Sequence, residues 1–302
     1  MDAMRWAGLF HAEGPADDTP GHLAALLGDD EAALTRGYTH LWSVTLRQEG
    51  RAWPATGPTA LLAADLLDDP RLDRADPTLP DALLVYLYAV GLAADLGGRA
   101  ARIREEAGGR VGELAAWTGR YLTAAPAQRP AFWADGTGLG ELVLDRAALA
   151  CFDLAPALLD RVLPYLGSDR PARRAYAAAA VGVLARHPAA DAELPRLRAR
   201  LAALADSTGS PHHLATTVTA LAQLGGDTHR WLAHPHLGVR TCAALAPHLA
   251  ADPAAARLRR EFALHPAEFV RSFGDTAPPT QFQFPDRPGL LEDSPHAYDP
   301  AR

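Results

Sequence analysis

The sequence predicts an all-α chain, a solenoid of stacked helical hairpins followed by an extended, proline-rich tail. Three observations carry this reading. First, Trp231–Leu249, WLAHPHLGVRTCAALAPHL, repeats the shape of Leu166–Leu184, LGSDRPARRAYAAAAVGVL: an apolar segment, a short polar break, then an arginine and an Ala/Leu-rich helix. Set one above the other, Arg174 falls on Arg240, Ala177 on Ala243 and Ala178 on Ala244. Second, apolar residues recur at helical spacing along most of the chain, and the one period-two alternation is TQFQF at Thr280–Phe284. Third, the helical stretches are short and separated by breaks of a few residues rich in Gly, Pro and Asp. A hairpin of this size cannot bury its apolar face alone, so repeated hairpins stack on their neighbours.

The elements follow in order. Asp2–His11 is the first predicted helix, with Trp6, Leu9 and Phe10 on one face. Thr19-Pro20 opens a second, because proline suits a first turn whose N–H groups have no helical partner. Gly28-Asp29-Asp30 turns that short helix into Glu31–Arg47, which carries Leu34, Tyr38, Leu41, Trp42 and Thr45 at helical spacing. Gln48–Pro58 is a loop. Thr59–Leu67 is apolar on most sides and belongs inside the stack; Asp68–Pro80 is polar and broken by three prolines. Asp81–Leu96 is the most hydrophobic helix, ended by Gly97-Gly98. Arg99–Glu106 and Val111–Leu122 flank Gly108-Gly109, and Thr123–Gly140 is the longest central break. From Glu141 helices are expected at 141–152, 156–166, 170–186, 191–205, 211–224, 228–233, 237–250 and 253–264. Residues 1–271 thus read as one solenoid, irregular over 1–140 and more regular over 141–271. Residues 272–302 form an extended or partly disordered tail, whose aromatics Phe282, Phe284 and Tyr298 favour docking of its first half.

Composition narrows the chemistry. With 48% hydrophobic and 22% charged residues, the 302-residue chain can bury a sizeable core. No apolar run is long enough to span a bilayer, and the N-terminus lacks the apolar core of a secretory signal, so a cytoplasmic protein is expected. All basic charge is arginine; lysine and asparagine are absent and Ile103 is the one isoleucine, the mark of a GC-rich genome. Without lysine there is no Schiff-base chemistry and no Walker-type phosphate loop. Cys151 and Cys242 lie far apart in apolar helical patterns and read as small buried hydrophobes. The net charge of −7 disfavours a nucleic-acid partner.

The hairpin grammar resembles that of HEAT repeats, in which Asp or Pro sits in the turn and an arginine projects from the second helix. Asp169/Arg174 and Pro235/Arg240 match well, and Asp29/Arg36 matches with a slip of one or two residues. Arg47–Pro70 also looks like a segment of poorly characterised bacterial HEAT-like proteins. The resemblance implies a right-handed, armadillo-like solenoid in which the Asp and Arg positions are mostly structural; it names a fold and no activity.

His229, His234 and His236, near His248 and Asp252, offer the residue types of a metal site. However, His234 and His236 flank Pro235 in a turn, so turn and capping roles are expected of them and no cofactor is expected. A di-iron hydroxylase of the HEAT-like deoxyhypusine type needs His-Glu pairs, and the chain has no His-Glu dipeptide. Trp117, Trp133 and Asp135 are the residues a HEAT-like DNA glycosylase would use, and GTGLG at Gly136–Gly140 reads as a capping loop. Arg174 and Arg240 are groove candidates that would offer forked donors to an acidic partner, opposite in sign to the aspartates of Asp65–Asp81. The function expected is a non-catalytic scaffold that holds a protein or peptide in a concave face, one version being an immunity or antitoxin-like partner. The alternatives are the glycosylase-type nucleic-acid reading and a biosynthetic accessory enzyme with a pocket between the aromatic loops Gly50–Pro58, which bears Trp53, and Pro130–Gly140, which bears Trp133.

Overall fold

A computed structural model describes Trp6, residues 8–46 and residues 51–274, and within them the chain is all-helical apart from one short hairpin. The chain divides into two compact units, Met1–Arg161 and Val162–Arg302. No helix among the described residues is long and apolar enough to cross a membrane.

The first unit opens on strands β1 (Phe10–His11) and β2 (Gly14–Pro15), paired antiparallel with Phe10 opposite Pro15. This corrects the helix expected to run to His11. Gly8 sits at φ +92°, outside the helical region, so the chain leaves any helical course before Phe10. Next come α1 (Thr19–Ala25) and α2 (Glu31–Thr39), the latter capped by the Asp30 carboxylate on Ala32 and Ala33 N–H. A π-helical turn, His40–Thr45, extends α2. The apolar α3 (Thr56–Leu66) packs on α5 (Leu79–Ala93), as its all-round apolar surface requires. The predicted polar break between them holds a short helix, α4 (Pro70–Ala75), started by Asp69 accepting from Arg71 N–H. Then follow α6 (Ala100–Gly109), α7 (Val111–Thr123) and, within the expected central break, α8 (Arg129–Trp133).

Two expected helices, 141–152 and 156–166, are one: α9 runs from Leu139 to Val162 with Pro156 inside it. Interior proline costs about 3 kcal/mol. Against that, Val143, Ala147, Cys151, Ala155, Leu158 and Val162 recur at helical spacing and are all buried. At about 1.5–3 kcal/mol for each large apolar side chain, continuing the stripe outweighs the lost hydrogen bond.

The second unit is a set of helices packed on one another. α10 (Pro171–Leu184) packs on α12 (Pro211–Gln223), which also carries α11 (Leu194–Asp206). α12 packs on α13 (Leu237–Ala244), α13 on α14 (Pro253–Leu264), and α14 on α15 (Pro266–Arg271). The contact faces of α10, α12 and α13 are rich in buried alanine, so the helix axes approach closely. At Gly182 a Cβ would come 2.8 Å from Ala220 Cα. The expected helix 237–250 stops at Ala244 and resumes as a 3-10 turn, Pro247–Leu249, since Pro247 has no N–H to continue it. Phe273, at the start of the expected tail, is buried with its ring against Gly238. The rest of that tail, including Thr280–Phe284, lies outside the described residues.

Candidate functional site

Four residues that the sequence patterns did not single out, His11, Asp18, His22 and His40, come together in the first unit. Each is placed for a local reason. The β1–β2 turn needs Gly14, which sits at φ +141° and where a Cβ would strike the Arg129 guanidinium. Arg129 lies over the Tyr121 ring and donates from Nη1 to the Glu13 carbonyl at 2.7 Å, which ties down the hairpin that bears His11. Asp18 precedes α1 without its side chain being used as a cap, so its carboxylate faces the imidazoles instead. His22 follows one helical turn later. Gly37 lets α2 approach α1: a Cβ there would lie 2.6 Å from the His22 carbonyl oxygen. That approach delivers His40.

The contacts are specific. His11 Nε2 is 2.9 Å from Asp18 Oδ1, while Glu13 N–H donates to His11 Nδ1 at 3.2 Å. The His11 proton therefore sits on Nε2 and points at the carboxylate. His22 Nε2 lies 3.8 Å from Asp18 Oδ2. The His40 ring stacks on His22 at 4.2 Å between centroids and meets His11 edge-on at 5.2 Å. His40 Nε2 is 2.8 Å from the buried Thr19 hydroxyl.

His11 and His40 are buried, whereas the side chains of His22 and Asp18 are 33% and 50% exposed, so the cluster opens to solvent on that side. Burial first, then repulsion from His22, pushes His40 down to about 4 against the attraction of Asp18. Its ring is then neutral at pH 7, with a lone pair available. Partial burial raises Asp18, but the His11 hydrogen bond and the charges of His11, His40 and His22 outweigh it and hold the carboxyl below its ordinary value. One donor atom from each of His11, Asp18 and His40 lies within 4.8 Å of the others, the one such group among the described residues.

The aromatic candidates converge, but as a core. Trp117 and Trp133 meet at 5.3 Å and Trp53 and Trp133 at 5.5 Å, with Tyr121 stacked on Trp117. Trp117 is fully buried, Trp53 nearly so, and Trp133 forms the partly exposed rim. Gly140 permits this closeness, since a Cβ there would lie 2.8 Å from the Trp133 ring. Asp135 is exposed and accepts from the Thr137 hydroxyl and backbone N–H at 2.7 and 2.9 Å, which hold its carboxyl below the ordinary value. Cys151 and Cys242 are buried free thiols, each pushed up to about 12 by burial.

In the second unit, Arg174 Nη1 donates to the carbonyls of Ser168 and Asp169, and Arg240 Nη1 to those of His234 and Pro235, at 2.8–3.1 Å. Both arginines fasten the turn ahead of their own helix. His234 Nδ1 accepts from His236 N–H, and His236 caps α13 through Gly238 N–H while its Nε2 meets the Ser272 carbonyl at 2.7 Å. His229 stands apart from these two, beside Asp252 at 3.5 Å. Comparison of the chain with protein-family models, with curated proteins and with solved structures finds no match.

Proposed function

We propose that the protein is a non-catalytic binding scaffold, in which HEAT-like repeats of the second unit hold an acidic protein or peptide. The observation that carries this reading is the register of the two arginine clamps. Aligned by sequence, Arg174 and Arg240 also make the same pair of bonds to equivalent turn carbonyls. A unit that recurs with its internal bonds intact, among helices that pack mainly on near neighbours in the chain, suits a laterally extended surface more than an enclosed pocket. Charge supports the sign of the partner. Residues 1–161 hold fourteen arginines against twenty-three Asp and Glu, while residues 162–274 hold thirteen against eight. A basic array in an acidic chain favours an acidic partner and discourages self-association through like surfaces.

Arg196 and Arg200 are exposed one helical turn apart on α11 and take no part in the clamp hydrogen bonds. The test is affinity capture with the full chain from its native host, followed by binding of the recovered partner to Arg196→Glu/Arg200→Glu. The expected result is a discrete acidic partner bound at least tenfold more weakly by the reversed variant, with the helical circular dichroism unchanged. Recovery of no partner, or binding indifferent to the reversal, would overturn the reading.

A further inference from the structure

We propose that His11, Asp18 and His40, with His22 as a fourth donor, form a binding site for a divalent transition-metal ion of the zinc class. The inference is independent of the scaffold reading and concerns the first unit alone. Three imidazoles and one carboxylate are the donor set that zinc and its neighbours prefer, and bonds of about 2.0–2.1 Å place tetrahedral donors about 3.3 Å apart. His11 Nε2 and Asp18 Oδ1 already stand 2.9 Å apart, and the three core donors lie within 4.8 Å of one another. Small side-chain rotations close such a set on one ion. The site carries one negative charge while its histidines are neutral, and a divalent ion offsets that charge.

Two further features favour a metal over a purely structural cluster. His22 Nε2 lies 3.8 Å from the second Asp18 oxygen, and turning its ring out of the stack on His40 aims its lone pair at the same ion. The half-exposed Asp18 and the third-exposed His22 provide an entry side, while Thr19 lies behind His40 as a hydrogen-bond partner. Ligation through His11 Nε2 moves its proton to Nδ1, which releases the Glu13 N–H bond of 3.2 Å. Glu13 is exposed, so water replaces that bond.

The test uses the tag-free full chain, stripped with a chelator and titrated with Zn2+ by calorimetry and with Co2+ by ligand-field absorption. The expected result is one ion per chain, cobalt bands of a low-symmetry four- or five-coordinate site, and a rise in melting temperature with Zn2+. Asp18→Asn should weaken binding at least tenfold while His229→Gln leaves it unchanged. If circular dichroism shows Asp18→Asn unfolded, the partly exposed His22→Gln takes its place with the same expected loss. Absence of saturable binding to the wild-type chain overturns the proposal. So does binding that the folded Asp18 or His22 variant retains in full, or that His229→Gln abolishes.

Discussion

Arg240 reaches back from the first turn of α13 and closes two hydrogen bonds of 2.8 Å, on His234 O and Pro235 O, as Arg174 does on Ser168 O and Asp169 O. Hydrogen bonds from a charged donor contribute about 1.5–3 kcal/mol each, less where water competes. Arg240→Ala should therefore destabilise the chain by about 1–3 kcal/mol, read as a lower urea midpoint. Arg240→Lys should rescue it only in part, because the lysine nitrogen ends one bond short of the Nη1 position from which both bonds are made.

Gly182 and Gly119 should respond to alanine with opposite signs. At Gly182 the added methyl meets Ala220 Cα at 2.8 Å and Gln223 Oε1 at 2.6 Å, and the backbone contact cannot yield without parting α10 from α12. Overpacking of about 1–3 kcal/mol exceeds the gain in helix propensity of about 1 kcal/mol, so net destabilisation is expected. Gly119, exposed in α7 with nothing near its Cβ position, should gain about 0.5–1 kcal/mol. Thermal melts of the two variants side by side check both signs.

Trp117→Ala should cost about 3–5 kcal/mol, since it removes the ring on which Tyr121, Trp133 and Phe132 pack. Asp135→Asn, on the exposed loop beside it, should leave the unfolding midpoint nearly unchanged. Equal losses at the two positions, measured by denaturant unfolding, would contradict a closed aromatic core.

His40 gives the metal-free protein a pH dependence of known sign. Its folded value of about 4 lies below the ordinary 6.5, so the unfolded chain binds this proton more readily. The stabilisation is complete above pH 6.5 and is lost as pH falls towards 4, by about 2–3 kcal/mol in all. His40 faces His11, His22, Asp18 and Thr19, and of these Asp18 alone opposes the trend by attracting the proton. Urea midpoints in chelator across this window should fall with pH, and His40→Gln should flatten the slope.

The all-α class was legible because nearly every stretch offers an apolar stripe at helical spacing, and the Arg174/Arg240 register because the same turn demands the same donor. Pro156 misled, since a proline followed by leucines reads as a helix start until the buried stripe on both sides is seen to be continuous. The histidine cluster left one local trace, the i, i+4 pair Asp18/His22. His40 joins it only because Gly37 lets two helices meet, and His11 only because a hairpin replaces the expected helix. The histidines of 229–248 are denser in the sequence, but the fold distributes them among caps and separate carboxylates.

Five of the six tryptophans belong to residues 1–161; Trp231 alone lies in 162–302, with the Arg230 guanidinium 4.1 Å over its ring. Intrinsic fluorescence is thereby split between the two units. Replacing Trp231 by phenylalanine leaves emission that follows the first unit only. The difference from the wild-type signal then follows the second, so the melting of each can be watched in the intact chain without an added dye.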